Sequence, residues 1–178
     1  MRVFPGHEVP VFAAVTPVDG IAIRVSDPEM RVAVERVVAQ TPPQLFNKKI
    51  GVTLITTDIP RAQNPLEEHD FAYWTGNEIR LMQTLDVDKV EHVLRHELGH
   101  SLNVHLIEKF GSTKAVRAWH DRLWKVSKRE GFVSKYAKNA PIENAAEATR
   151  LYLYEKRNLM LNWPLTFAFL RRAYRDIL

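Results

Sequence analysis

Apolar residues follow two different periodicities along this chain. Up to about residue 85 they come in short β-rich runs. Val9–Val15 and Ile21–Val25 are the first two, separated by the turn signal Pro17-Val18-Asp19-Gly20. Asp27 then reads as an N-cap with Pro28 at the first helical position, and Met30, Val34, Val37 and Val38 fall on one face of the helix they open. Thr41-Pro42-Pro43 stops that helix. Ile50–Thr56 alternates and is β-branched, which predicts a strand. Phe71–Thr75 and Glu78–Thr84 flank Gly76-Asn77, a two-residue hairpin turn.

Past Leu85 the period changes to that of helices. Asp86 or Asp88 can cap a helix running to about Val104, with Val90, Val93, Leu94, Leu98 and Leu102 as its buried stripe. A second helix is predicted over about Thr113–Glu130, packing through Val116, Trp119, Leu123 and Val126 and ended by Gly131. Pro141 opens a third, to about residue 157, and Pro164 a last one running to the C-terminus. Strands followed by helices predict an α+β fold with a small mixed sheet. At 178 residues, with no composition break or internal repeat, the chain 1–178 reads as a single domain.

Composition narrows the chemistry. There is no cysteine, so disulfides and thiolate metal sites are excluded, and any metal must be held by His and carboxylate. The opening MRVFPGHEVPVF lacks an uninterrupted apolar core, so no signal peptide is expected. The expected location is cytoplasmic, or exported as a mature, toxin or phage product. Leu159–Leu170 is broken by Asn162 and Pro164 and is too short to span a bilayer, so no membrane partner is expected. The net charge of +4 is uneven: residues 1–89 hold 9 basic and 12 acidic residues, and residues 90–178 hold 16 and 9. The excess positive charge is spread along amphipathic helices instead of being clustered, which disfavours nucleic acid as a partner.

Within the first long helix stands His96-Glu97-Leu98-Gly99-His100. Residues four apart share a helix face, so His96 and His100 can bind one ion while Glu97 projects about 100° away from His96, beside it. That is the position of a base that takes a proton from a zinc-activated water. This composition gives roughly 0.02 chance occurrences of the pattern in a chain of this length, so chance explains it poorly. Gly99 costs about 1 kcal/mol against alanine in mid-helix, which implies a close neighbour there. His92, His105, His120, His69 and Asp70 are rivals for a third ligand. Glu143 and Glu147 make the stronger pair: they lie four apart on the third helix, amid Ala145, Ala146 and Ala148, whose small side chains allow close helix contact. Glu143 is assigned to the metal and Glu147 to the free N–H of a ligand histidine. The competing reading is two solvated glutamates on an outer face.

HELGH followed by Ser134-Lys135-Tyr136 and then Glu143-Asn144-Ala145-Ala146-Glu147 resembles the catalytic domain of anthrax lethal factor and the secreted bacterial Pro-Pro endopeptidases, over about residues 70–155. The spacing of the tyrosine and the ExxAE segment is more specific than HExxH alone. The resemblance implies a zincin-like (gluzincin) fold, Zn²⁺ on His96, His100 and Glu143, Glu97 as general base and Tyr136 as donor to the oxyanion. It also implies a peptide or protein substrate bound as an extended strand along the strand before the active-site helix: Glu78, Ile79, Arg80, Leu81 and Met82. Aromatic residues usual within that segment are here Asn144 and Ala145, which changes the packing beside the site and leaves a preference for proline to analogy alone. A fainter likeness, through His105 and Glu143-Asn144-Ala145, is to phage-repressor-cleaving HExxH peptidases. The expected function is a zinc endopeptidase. The rival class is a zinc-stabilised domain that captures a peptide without cutting it, for which Glu97 would have no use.

Overall fold

The computed structural model describes residues 21–46, 51–57, 71–82 and 85–178. The expected strand Val9–Val15, the turn Pro17–Gly20, and Ile50, His69, Asp70, Gln83 and Thr84 lie outside the described residues. The described chain is α+β: a four-stranded mixed sheet and six helices. The strands are β1 (Ala22–Arg24), β2 (Leu54–Thr56), β3 (Ala72–Thr75) and β4 (Glu78–Leu81), and the helices are α1 (Pro28–Gln40), α2 (Val87–Phe110), α3 (Thr113–Glu130), α4 (Pro141–Tyr154), α5 (Lys156–Asn162) and α6 (Pro164–Tyr174).

Several local signals act as their chemistry dictates, although Asp86 precedes α2 without a side-chain cap hydrogen bond. Asp27 accepts hydrogen bonds from the amides of Glu29 and Met30 at 2.9 Å and starts α1 with Pro28 in its first turn. Ser112 caps α3 through the amide of Ala115. Gly76, at φ +69°, takes the left-handed conformation that the β3–β4 hairpin needs. Three helices differ from their sequence outlines, and the last, α6, stops at Tyr174 short of the C-terminus. Helix α2 runs six residues past Val104, because Leu106 is fully buried and carries the apolar stripe onward until Gly111 closes the helix at φ +79°. The third helix stops at Tyr154. Glu155 leaves helical geometry at φ −134°, and the short α5 follows as a separate element.

The sheet order is β1-β2-β4-β3, with β1, β2 and β4 parallel and β3 antiparallel on the outside. Ile23, Ile55 and Ile79 pair in one row across the three parallel strands and are buried, the face on which the helices close. Val34 and Val37 of α1 and Leu94, Leu98 and Leu102 of α2 join them in one core. Helix α2 is the hub, packed against α1, α3, α4 and the sheet. Among the described residues no helix is long and apolar enough to cross a membrane.

The α2–α4 crossing is unusually tight. A Cβ built on Gly99 would stand 2.5 Å from the carbonyl oxygen of Ala146 and 3.1 Å from its Cα. Ala145, Ala146 and Ala148 are all buried, and Ala146 is the one whose backbone meets Gly99. A Gly99→Ala change should therefore lower stability, by about 1–3 kcal/mol of overpacking, although alanine is the better helix former. The midpoint of thermal unfolding reads this directly, and an unchanged or raised midpoint would contradict the tight crossing.

Candidate metal centre

Helix α2 carries His96 and His100 one turn apart, and α4 brings Glu143 to both. Glu143 Oε2 lies 3.1 Å from His96 Nε2 and 3.4 Å from His100 Nε2. One ligand atom from each of the three side chains lies within 4.8 Å of the others, so the group can hold a metal ion. Around a tetrahedral ion with bonds of about 2.0–2.1 Å, neighbouring ligand atoms stand about 3.3 Å apart, and the two distances to the carboxylate match that span. Charge points the same way. Glu97 is 6 % exposed and Glu147 1 %, with Glu143 beside them, while Arg150 is the permanent cation paired with this cluster. Buried carboxylates keep their charge where cations or hydrogen-bond donors meet them.

The other ring nitrogen of His96 is engaged as well. Nδ1 lies 2.9 Å from Glu147 Oε1, and that same oxygen accepts from Arg150 Nε at 3.3 Å. Arg150 Nη1 in turn donates to Glu155 at 2.9 Å. The chain Glu155–Arg150–Glu147–His96 fixes the imidazole ring and leaves Nε2 directed at Glu143. Burial disfavours the charged form of His96, but the hydrogen bonds to Glu143 and Glu147 and the charges of Glu97 and Glu147 outweigh it and raise the pKa to about 9. Burial likewise opposes ionisation of Glu147, yet the bond from His96 and the charge of Arg150 hold its pKa at about 2. Glu143 is also depressed, well below the usual carboxylate range. There the hydrogen bonds from His100 and His96 override burial.

Glu97 and Tyr136 border the cluster. A cleft of about 460 Å³ is lined by His92, His96, Glu97, Tyr136 and Glu147, by the charged Asp88 and Lys89, and by the apolar Phe71, Ala72 and Val93. Tyr136 opens a short 3-10 turn, Tyr136–Lys138, and its ring meets His96 edge-on at 5.3 Å between centroids. Ser134 holds this turn in place: its hydroxyl accepts from the amide of Ala137 at 3.0 Å and also hydrogen-bonds Glu147.

The rival histidines stand apart from the three-residue group. His92 has a side chain 60 % exposed, 4.0 Å from Glu147. His105 faces a different cleft with Gln44 and Glu108. His120 Nε2 lies 2.9 Å from Asn103 Oδ1, and burial together with the nearby charge of His100 lowers its pKa to about 4. Sequence reasoning missed Arg150. The signal was present, since Arg150 follows Glu147 by three residues on the same helix face.

The strand expected to pair with substrate requires correction. Glu78–Leu81 is hydrogen-bonded on both sides, to β2 and to β3, so its backbone cannot accept another strand. Ile79 and Leu81 are fully buried. Among the described residues β3 is the outer strand on this side of the sheet, and Ala72 of β3 lines the cleft. The sequence shows the hairpin but not the insertion of its second strand beside β2.

Comparison with protein-family models, with curated proteins and with solved structures finds no match to this chain.

Two outcomes follow from the geometry. Glu147→Gln should weaken metal affinity by about 10–100-fold, read by competition with a chromophoric chelator, and unchanged affinity would remove Glu147 from the orienting role. A metal must also displace the proton from His96. Its apparent affinity should therefore fall about tenfold for each pH unit below about 9 and level off above it, and a flat profile between pH 6.5 and 9 would contradict that competition.

Proposed function

We propose that the protein is a zinc-dependent endopeptidase with a zincin-like fold of the gluzincin type. The observation that carries this reading is the convergence of His96, His100 and Glu143 from two helices within 4.8 Å, with Glu97 next in sequence to the first histidine and lining the same cleft. Two imidazoles and one carboxylate form a donor set suited to zinc, and three protein ligands are the number that catalytic zinc sites use. Bound there, zinc would lower the pKa of a coordinated water toward about 7 and polarise a peptide carbonyl.

The chain's own groups supply the rest. The Glu97 carboxylate takes a proton from the attacking water and delivers it to the leaving amine nitrogen. The Tyr136 hydroxyl donates to the oxyanion as the carbonyl becomes tetrahedral. Glu147 holds His96 by its Nδ1–H, and Arg150 holds Glu147. An extended peptide adds to the outer edge of β3, which places its backbone across the mouth of the cleft. The intact base beside the ligands favours hydrolysis over simple capture of a peptide.

Glu97→Gln should keep its zinc and lose cleavage of a peptide library, by mass spectrometry. Zinc-loaded wild type that cuts nothing would contradict the hydrolase reading and favour a peptide-binding domain. Tyr136→Phe should lose roughly two to three orders of magnitude in kcat, about 3–4 kcal/mol, with zinc content unchanged. Full activity in that variant would exclude Tyr136 from the chemistry.

A further inference from the structure

The last two helices leave apolar side chains in water. Among the described residues seven large apolar or aromatic side chains are exposed, and three of them, Met160, Leu161 and Leu165, cluster where α5 turns into α6. Leu161 is 65 % exposed and Leu165 52 %. Trp163, half-buried, stands at the junction, and Pro164 opens α6. The turn is held from behind. Glu130 at the end of α3 accepts from the amides of Leu165 and Thr166 at 2.7 and 2.8 Å, which satisfies donors that the first turn of a helix leaves without a partner. The leucines are therefore displayed on a fixed tip, and a group of exposed apolar residues of this kind marks an interaction surface.

Behind this tip the charge is of one sign. From Lys156 to Arg175 the chain carries five basic residues, Lys156, Arg157, Arg171, Arg172 and Arg175, and no acidic one. All five are exposed, and among the described residues none is ion-paired with a carboxylate. The acids that flank the stretch are engaged elsewhere, Glu155 with Arg150 and Asp176 with Lys109, each at 2.9 Å. Lys156, Arg171 and Arg175 line one depression, so the start of α5 lies beside the end of α6 and the leucines occupy the opposite end of the pair. At about 1.5 Å of rise per residue, Lys156 stands roughly 8 Å behind Leu161 and Arg171 roughly 9 Å behind Leu165.

From this juxtaposition we propose that the α5–α6 turn docks the protein on the surface of an anionic lipid membrane. Met160, Leu161 and Leu165 enter the boundary between headgroups and acyl chains, and the five cations meet the lipid phosphates. Interfacial helices bury their apolar face about 5–10 Å deep, which matches the distance from the leucines back to the cations. Tryptophan favours the same level, and Trp163 stands there. The contact is with one leaflet, since among the described residues no helix is long and apolar enough to cross a bilayer. A nucleic acid would engage the cations but gain nothing from exposed leucines. A second copy of the chain, meeting this surface across a two-fold axis, would set like charges against one another. The lipid surface alone uses both features. The proposal does not depend on the hydrolase reading, because the candidate metal ligands lie on α2 and α4.

The test is co-sedimentation of the full chain with vesicles of phosphatidylcholine alone or with about 30 % phosphatidylserine, at about 0.1 M salt. Wild type should partition at least tenfold more strongly onto the anionic vesicles, and about 0.5 M salt should release it. Leu161→Ser with Leu165→Ser, and Arg171→Gln with Arg172→Gln, should each lower that partition at least tenfold. All four side chains are exposed, so the midpoint of thermal unfolding should stay unchanged. Equal partition onto both kinds of vesicle, or none, overturns the proposal. Full binding by the leucine variant also overturns it and leaves a site for polyanions in general. A wild-type dimer that the leucine variant dissociates, without vesicle binding, assigns the surface to a second copy instead. If the double leucine variant fails to fold, Leu161→Ser alone decides: a partition lowered about threefold or more supports the proposal, and an unchanged one overturns it.

Discussion

A Cβ on residue 99 would sit 2.5 Å from the carbonyl oxygen of Ala146, so α2 and α4 can cross at their present distance while residue 99 is glycine. The candidate site depends on that crossing. His96 and His100 flank Gly99 on α2, and Glu143 and Glu147 flank Ala146 on α4, so the close backbone contact and the meeting of the polar side chains are one event. Widening the crossing by the radius of a methyl group would carry Glu143 Oε2 away from two nitrogens that it now approaches to 3.1 and 3.4 Å. Ala146 is the α4 residue whose backbone meets Gly99 at this crossing.

That contact forces carboxylates into a poorly solvated place. Glu97 and Glu147 are buried, and Glu143 lies between two imidazoles. Left alone, such groups would take up protons and lose their charge. Here Arg150 and a protonated His96 keep Glu147 ionised, and the two histidines keep Glu143 ionised. The three side chains His96, His100 and Glu143 could hold a metal ion in the same place.

Much of this was legible in the sequence, though unevenly. The i, i+4 spacing of His96 and His100 and of Glu143 and Glu147 shows which residues share a face, and Gly99 with the alanines marks a close helix contact. The cap Asp27 announces the start of α1 because it acts over a few residues. The limits of α2 and α4 were less clear, since burial of Leu106 and the break at Glu155 are set by tertiary neighbours. Sheet order was out of reach. Nothing in the alternation of Glu78–Leu81 says that β4 inserts between β2 and β3, where both its edges are already paired. Arg150 was overlooked for a different reason: an arginine on a helix usually serves as a solvated surface charge, and its burial beside Glu147 appears only once α4 is packed.

The most direct test of the metal centre is an anomalous-scattering map from crystals grown with zinc. The account predicts one ion bonded to Nε2 of His96, Nε2 of His100 and a carboxylate oxygen of Glu143 at about 2.0–2.2 Å, with Glu147 still hydrogen-bonded to His96. An ion held elsewhere, or a Glu143 carboxylate turned away from both imidazoles, would contradict it.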